Sequence, residues 1–165
     1  MVLVCVLALI GTSSAFAWGR EGHEVIARIA ENNLKPGVKK KIELYLGHSI
    51  VYYAKWMDEY RHTPEYKFTH PWHMCDVDKE LKYVPKSNGD AIYGLTYATE
   101  NLADYRHLSD SAVAVNIKYI VHLVGDMHCP AHIKYQGRDG DFKVKFGGDY
   151  IQPRVNARIH SVWDY

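Results

Sequence analysis

Within residues 121–132, Val-His-Leu-Val-Gly-Asp-Met-His-Cys-Pro-Ala-His, three imidazoles and a carboxylate follow one another closely. His122 and Asp126 stand four apart, so on a helix they project from one face, one turn above the other. Pro130 stops or turns that helix and frees His132 to point elsewhere. Imidazole nitrogen and carboxylate oxygen at such spacing are donors that a zinc ion takes. A buried helix end with hydrogen-bonded polar groups would account for any one of these residues. It does not account for the set, because similar groups recur at both ends of the chain.

Trp18-Gly19-Arg20-Glu21-Gly22-His23 follows a small-x-small cleavage site, Ala15-Phe16-Ala17. A chain beginning at Trp18 would present an α-amino group and a carbonyl that chelate a metal together, with His23 as a further ligand. Asp58 follows Trp56-Met57, and His73 follows Pro71-Trp72, so a carboxylate and an imidazole each lie beside a tryptophan that can shield them. His160 and Asp164 repeat the four-residue spacing near the end.

The elements that must hold these groups are mainly helical. Apolar residues at helical spacing predict helices over 20–33, from Pro36 to Gly47, over 50–60 behind Ser49, over 91–105, over 112–126 behind Ser109, and over 155–165. Residues 63–78 read as irregular, broken by Pro64 and Pro71, and residues 82–90 as a surface loop. Residues 142–146 alternate Phe-Lys-Val-Lys-Phe inside a Gly- and Asp-rich stretch and read as a short hairpin strand. There are no repeats and no linker.

With 165 residues and 19.0 kDa, the chain is one domain with enough length for a real core. A net charge of +1 excludes the strongly basic footprint of a duplex-DNA binder. Ten histidines without a tag-like run point toward metal. Residues 1–17, with an unbroken apolar run from Val2 to Ile10, read as a secretory signal too short to span a bilayer. The mature domain is then 18–165, secreted or periplasmic, with no membrane span and no stable protein partner expected. Cys5 leaves with the signal; Cys75 and Cys129 either pair or serve as buried thiols. The lack of any Asn-x-Ser/Thr sequon favours a bacterial source.

Taken in order, Trp-Gly-x-x-Gly-His, Trp-x-Asp, the His73 segment, His-x-x-x-Asp-x-x-x-x-x-His and the late His-x-x-x-Asp span nearly all of the mature chain. The chain thereby resembles the zinc-dependent single-strand nucleases, the S-one/P-one nucleases of moulds and the bifunctional nucleases of plants, with bacterial relatives. The resemblance implies a compact helical domain of the phospholipase C/single-strand nuclease type around three Zn2+. It implies that Asp58, His73, His122 and Asp126 hold one zinc, and that Trp18 (amino group and carbonyl) and His23 bind a second, bridged by Asp126. His132, His160 and Asp164 would hold the third. Arg61 matches the basic residue beside the scissile phosphate, and Asp76 the base-recognising carboxylate. Three divalent ions facing Asp58, Asp126 and Asp164 leave positive charge local to the metals, which would let a near-neutral protein receive a phosphodiester.

The expected activity is hydrolysis of single-stranded DNA and RNA to 5′-phosphates, with 3′-mononucleotides as further substrates. Asp58 and Asp126 join Arg61 as the catalytic residues. Two positions depart from the pattern. Asp139-Gly140-Asp141 replaces Gly-Gly-Asn, so Asp141 lacks the amide donor, and Met74 stands where an aromatic stacking residue is common. The family also continues with helices beyond the last ligand, whereas this sequence stops one residue after Asp164. The competing readings are a zinc-dependent phospholipase C, which would end in His-x-x-x-Glu, and an inactive zinc-binding fragment.

Overall fold

The apolar run near the centre of the chain forms the longest of five α-helices in the computed structural model, which describes residues 18–136, 143–145 and 156–158. These helices are α1 (His23–Asn33), α2 (Pro36–Leu46), α3 (Trp56–Tyr60), α4 (Ala91–Ala103) and α5 (Asp110–Met127). The Ser109 hydroxyl caps α5, accepting from the Ala112 N–H at 3.2 Å. Along α5 the residues Val113, Asn116, Ile117, Tyr119 and Leu123 are buried at intervals of one to four, a stripe that meets α1, α2, α3 and α4. Pro36, whose fixed φ suits a helix start, opens α2, and Gly47 at φ +73° ends it in a left-handed turn.

Two apolar clusters flank α5. Ala27, Leu46, Ile50, Ala54, Val113 and Ile117 join α1 and α2 to its first half. Trp56, Met57, Trp72, Ala98, Tyr119 and Leu123 join α3 and α4 to its second half. Burying one such side chain, for example the fully covered Leu123, contributes about 2 kcal/mol. Trp56, Met57 and Trp72 therefore stand in the core, next in sequence to Asp58 and His73.

The expected helix over 50–60 is broken. A 3₁₀ turn, Ile50–Tyr53, precedes α3, and Ala54 at the junction directs its carbonyl to His122 Nδ1, 2.8 Å away. A tertiary hydrogen bond has there displaced local helix propensity. The helix expected from residue 20 starts instead at His23, after a turn over Trp18–Gly22 kinked at Gly19.

The stretches read as irregular and as surface loop each contribute a strand to a sheet, which a third strand just after His132 completes. Strands β1 (Cys75–Val77), β2 (Tyr83–Val84) and β3 (Ile133–Tyr135) lie in the order β2-β1-β3. β1 runs antiparallel to β2 and parallel to β3, with Cys75 opposite Ile133, Asp76 opposite Lys134 and Val77 opposite Tyr135. Such a ladder links segments far apart in sequence, and three-residue strands are too short to show alternation. A strand appears where one was expected, β4 (Lys143–Lys145), paired antiparallel with β5 (Asn156–Arg158). The expected helix over 155–165 is corrected at Asn156–Arg158, which pairing with β4 holds extended; the rest of that stretch lies outside the described residues. The expected signal segment 1–17, Asp141, His160 and Asp164 lie outside the described residues. No described helix is long and apolar enough to cross a membrane.

Candidate metal centre

The core stripe of α5 changes character in its last two turns, where His122 and Asp126 are both completely buried. Four imidazoles converge on the Asp126 carboxylate. His23 Nε2 lies 3.3 Å and His132 Nδ1 3.1 Å from Oδ1. His73 Nδ1 lies 3.0 Å and His122 Nε2 3.3 Å from Oδ2. Asp58 Oδ1 approaches the same group at 3.7 Å from His73 Nδ1 and 3.8 Å from His122 Nε2.

Each side chain arrives from a different element. His23 is the first residue of α1, and Asp58 sits in the first turn of α3. His73 ends the 3₁₀ turn Lys67–His73, two residues before β1. His132 ends the turn Pro130–His132, immediately before β3. The parallel pairing of Cys75 with Ile133 thus carries both histidines to the same end of neighbouring strands.

Packing fixes the rings. His122 Nδ1–H donates to the Ala54 carbonyl, which directs Nε2 into the cluster, 3.1 Å from His73 Nδ1. The His23 ring stacks on His122 at 4.2 Å between centroids and 10° between planes. Gly125 makes this stack possible: a Cβ at that position would stand 2.3 Å from His23 Nδ1. Reading the sequence for chemistry passed over both Ala54 and Gly125. Gly125 was open to discovery, since a glycine inside an apolar helix beside two polar core residues implies a close approach.

The electrostatics are those of one buried anion among imidazoles. Burial alone would raise the Asp126 carboxyl, yet His122, His132 and His23 hold it well below the usual carboxylate range. For His73 burial dominates over the Asp126 charge and pushes the imidazole below its ordinary value, toward the neutral form. For His122 burial opposes protonation, but Asp126, Asp58 and the Ala54 carbonyl outweigh it and raise the pKa.

Hydrogen bonding does not satisfy this cluster. Both Asp126 oxygens, both His23 nitrogens and His73 Nε2 are shielded from water and make no hydrogen bond of good geometry among the described residues. A buried carboxylate in that state is costly unless something else meets its lone pairs. A divalent ion does so. Zinc takes nitrogen and oxygen at about 2.0–2.2 Å, which sets neighbouring tetrahedral ligands about 3.4 Å apart. The separations here run from 3.0 to 3.8 Å. Two overlapping triads, His23 with Asp58 and His122, and His73 with His122 and Asp126, each have ligand atoms within 4.8 Å of one another. The residues present fit a metal cluster.

Around this centre Arg61 Nη1 stands 3.4 Å from Asp58 Oδ1, and both side chains are about a quarter exposed, at 28% and 24%. Met74, half-buried, follows His73 and accepts the Ala91 N–H on its backbone carbonyl. Asp76, in the middle of β1, is ion-paired with Lys86 at 2.7 Å. The backbone of Trp18 opens the turn that leads into His23. Cys75 carries a free, buried thiol, which burial and the Asp90 and Asp76 charges push up.

Comparison with known proteins bears on the same residues. Nuclease P1 of Penicillium citrinum is 29% identical over 89% of this chain and 57% of its own length. Endonuclease 4 of Arabidopsis thaliana is 27% identical over 92% of the chain and 56% of its own length. Nuclease S1 of Aspergillus oryzae is 26% identical over 90% of the chain and 54% of its own length. The chain thus spans a little over half the length of these relatives. The S1/P1 nuclease family model matches residues 18–165, which takes in every side chain that converges on Asp126. With that match, the chain belongs to the S1/P1 nuclease family.

Proposed function

We propose that this chain forms the zinc-binding catalytic core of a hydrolase that cleaves phosphodiester bonds in single-stranded DNA and RNA. Its products are 5′-phosphates, and 3′-mononucleotides are further substrates. The observation that carries this is the convergence of four imidazoles on the buried, hydrogen-bond-starved Asp126. Asp58, His73, His122 and Asp126 would hold one Zn2+, Trp18 and His23 with Asp126 a second, and His132 with His160 and Asp164 a third. The relatives' names, nuclease and endonuclease, support the reaction class. The protein works outside the cytoplasm once residues 1–17 are removed.

Zinc supplies Lewis acidity, acidifying water and neutralising phosphate charge. The protein's own groups do the rest. Asp58 stands at the rim with its carboxylate partly open to solvent, where it orients the attacking water and takes its proton. The Arg61 guanidinium beside it donates to the phosphate and to the leaving 3′-oxygen as charge builds there. Asp76, Met74 and Asp141 meet the nucleobase. A base must leave its stack to reach them, so single strands are preferred.

The test uses zinc-loaded protein beginning at Trp18, assayed for release of acid-soluble nucleotides from single-stranded DNA and RNA. Release that a chelator stops is expected. Zinc-replete, folded protein that releases nothing from either polymer, or that cleaves phosphocholine esters instead, would sink the proposal.

A further inference from the structure

We propose, building on Asp76 as the base-contacting carboxylate, that Lys86 completes a two-residue reader selective for guanine. Lys86 Nζ lies 2.7 Å from Asp76 Oδ1, with the two side chains 23% and 27% exposed, so the pair is formed yet open to a ligand. Apart from this ion pair, Asp76 Oδ1 is shielded from water and accepts no hydrogen bond among the described residues. A carboxylate offers about four acceptor positions, so a base can meet Oδ1 once the flexible Lys86 side chain that faces it swings to the base.

Both side chains are mounted on fixed backbone. Asp76 sits in the central strand of the sheet, between Val84 of β2 and Lys134 of β3. Lys86 lies two residues past Val84, the residue opposite Asp76, and its ammonium reaches back to the Asp76 carboxylate. Its N–H donates to Asp90 Oδ2 at 3.1 Å. Asp90 is completely buried and also accepts the Tyr83 hydroxyl and, at 3.0 Å, the Tyr93 N–H at the start of α4. The ammonium is therefore delivered from a loop that a buried carboxylate clamps to a helix. His73 precedes Asp76 by three residues, about 10 Å of extended chain, a distance on the scale of one nucleoside.

The chemistry of the pair is directional. A carboxylate only accepts and an ammonium only donates. Guanine offers two adjacent donors, N1–H and N2–H, that suit both oxygens of Asp76, with the O6 acceptor beside them for Lys86. Adenine and cytosine offer one amino donor next to an acceptor nitrogen, and uracil one imino donor between two acceptors. Each of these makes one contact fewer than guanine, and the second carboxylate oxygen then faces a lone pair.

The experiment compares binding of guanosine and adenosine 5′-monophosphates to the zinc-loaded full chain by calorimetry, beside relative kcat/KM on 3′-GMP and 3′-AMP. Guanine is expected to bind roughly tenfold tighter, in the lower range of a multidentate base contact. In Lys86→Met the ratio should fall to near one, and in Lys86→Arg, which keeps the donor, it should survive. Equal binding in wild type, a preference for adenine, or a ratio that Lys86→Met leaves intact would overturn the inference. Guanine-selective binding without turnover would support this pair while refuting the hydrolase; turnover without base preference would do the opposite.

Discussion

Replacing Gly125 with Ala tests whether the converging side chains are ligands rather than a polar patch in the core. On α5 the substitution is locally favourable, since Ala exceeds Gly in a helix interior by about 1 kcal/mol. Its new methyl, however, would lie 2.3 Å from His23 Nδ1, against a contact optimum of about 3.5–4.0 Å. The His23 ring must retreat by more than an ångström. It is 1% exposed and stacked at 4.2 Å on His122, so retreat means overpacking at about 1–3 kcal/mol. The two effects largely offset, and stability without metal should change by less than about 2 kcal/mol. Metal affinity has no such compensation. A ligand moved by an ångström no longer reaches an ion held at about 2 Å, so zinc affinity should fall at least about 10–100-fold. Competitive chelator titration reads the affinity, and thermal unfolding of the metal-free protein reads the stability. Pairing the change with His23→Ala should add little further loss, because both alter one contact. Wild-type zinc stoichiometry and affinity in Gly125→Ala would refute the placement of His23 at a metal.

Other outcomes follow from the same geometry. Asp126→Ala should abolish hydrolysis and release two zinc ions, measured by metal content after gel filtration; a variant with normal activity would refute the bridging role of this carboxylate. Asp90→Ala should destabilise the fold by about 1–2 kcal/mol in chemical denaturation, since it removes the α4 cap and the acceptor of the Tyr83 hydroxyl, which burial and Asp90 push up to about 12. Glu31 is buried, accepting from Ser49 and Arg28 at 2.6 Å each. The Ser49 bond, working against burial and aided by Lys39 and Arg28, holds its carboxyl below the ordinary 4.5. Its stabilisation is therefore present above pH 4.5 and lost as pH falls through the lower native value. Glu31→Gln should accordingly cost about 1–3 kcal/mol at neutral pH and progressively less in acid; a difference that persists undiminished at pH 2 would contradict this origin.

What the sequence disclosed depended on how local each signal was. His122 and Asp126 were legible because a four-residue spacing becomes one face of a helix whatever else the chain does. Ser109, Pro36 and Gly47 mark their helix ends through their own backbone chemistry. The break at Ala54 was not legible, since its cause is an imidazole on α5. Strands β1 and β3 were hidden for the same reason: each is extended because the other is there. Asp90 read as part of a surface loop, yet three donors, the Tyr83 hydroxyl and the Lys86 and Tyr93 N–H groups, draw it fully inside. Composition marks an aspartate as polar; it does not count the donors that will surround it.

The parallel ladder also bears on how the gene can vary. His73 and His132 keep their places because Cys75 is in register with Ile133. A one-residue insertion in either strand would turn every following side chain to the opposite face and move one histidine away from the other. Length should therefore be constrained over 73–77 and 132–135, while the turn over 78–82, which joins β1 to β2, can lengthen without disturbing either histidine. Insertions and deletions, more than substitutions, would report which parts of this chain hold the centre together.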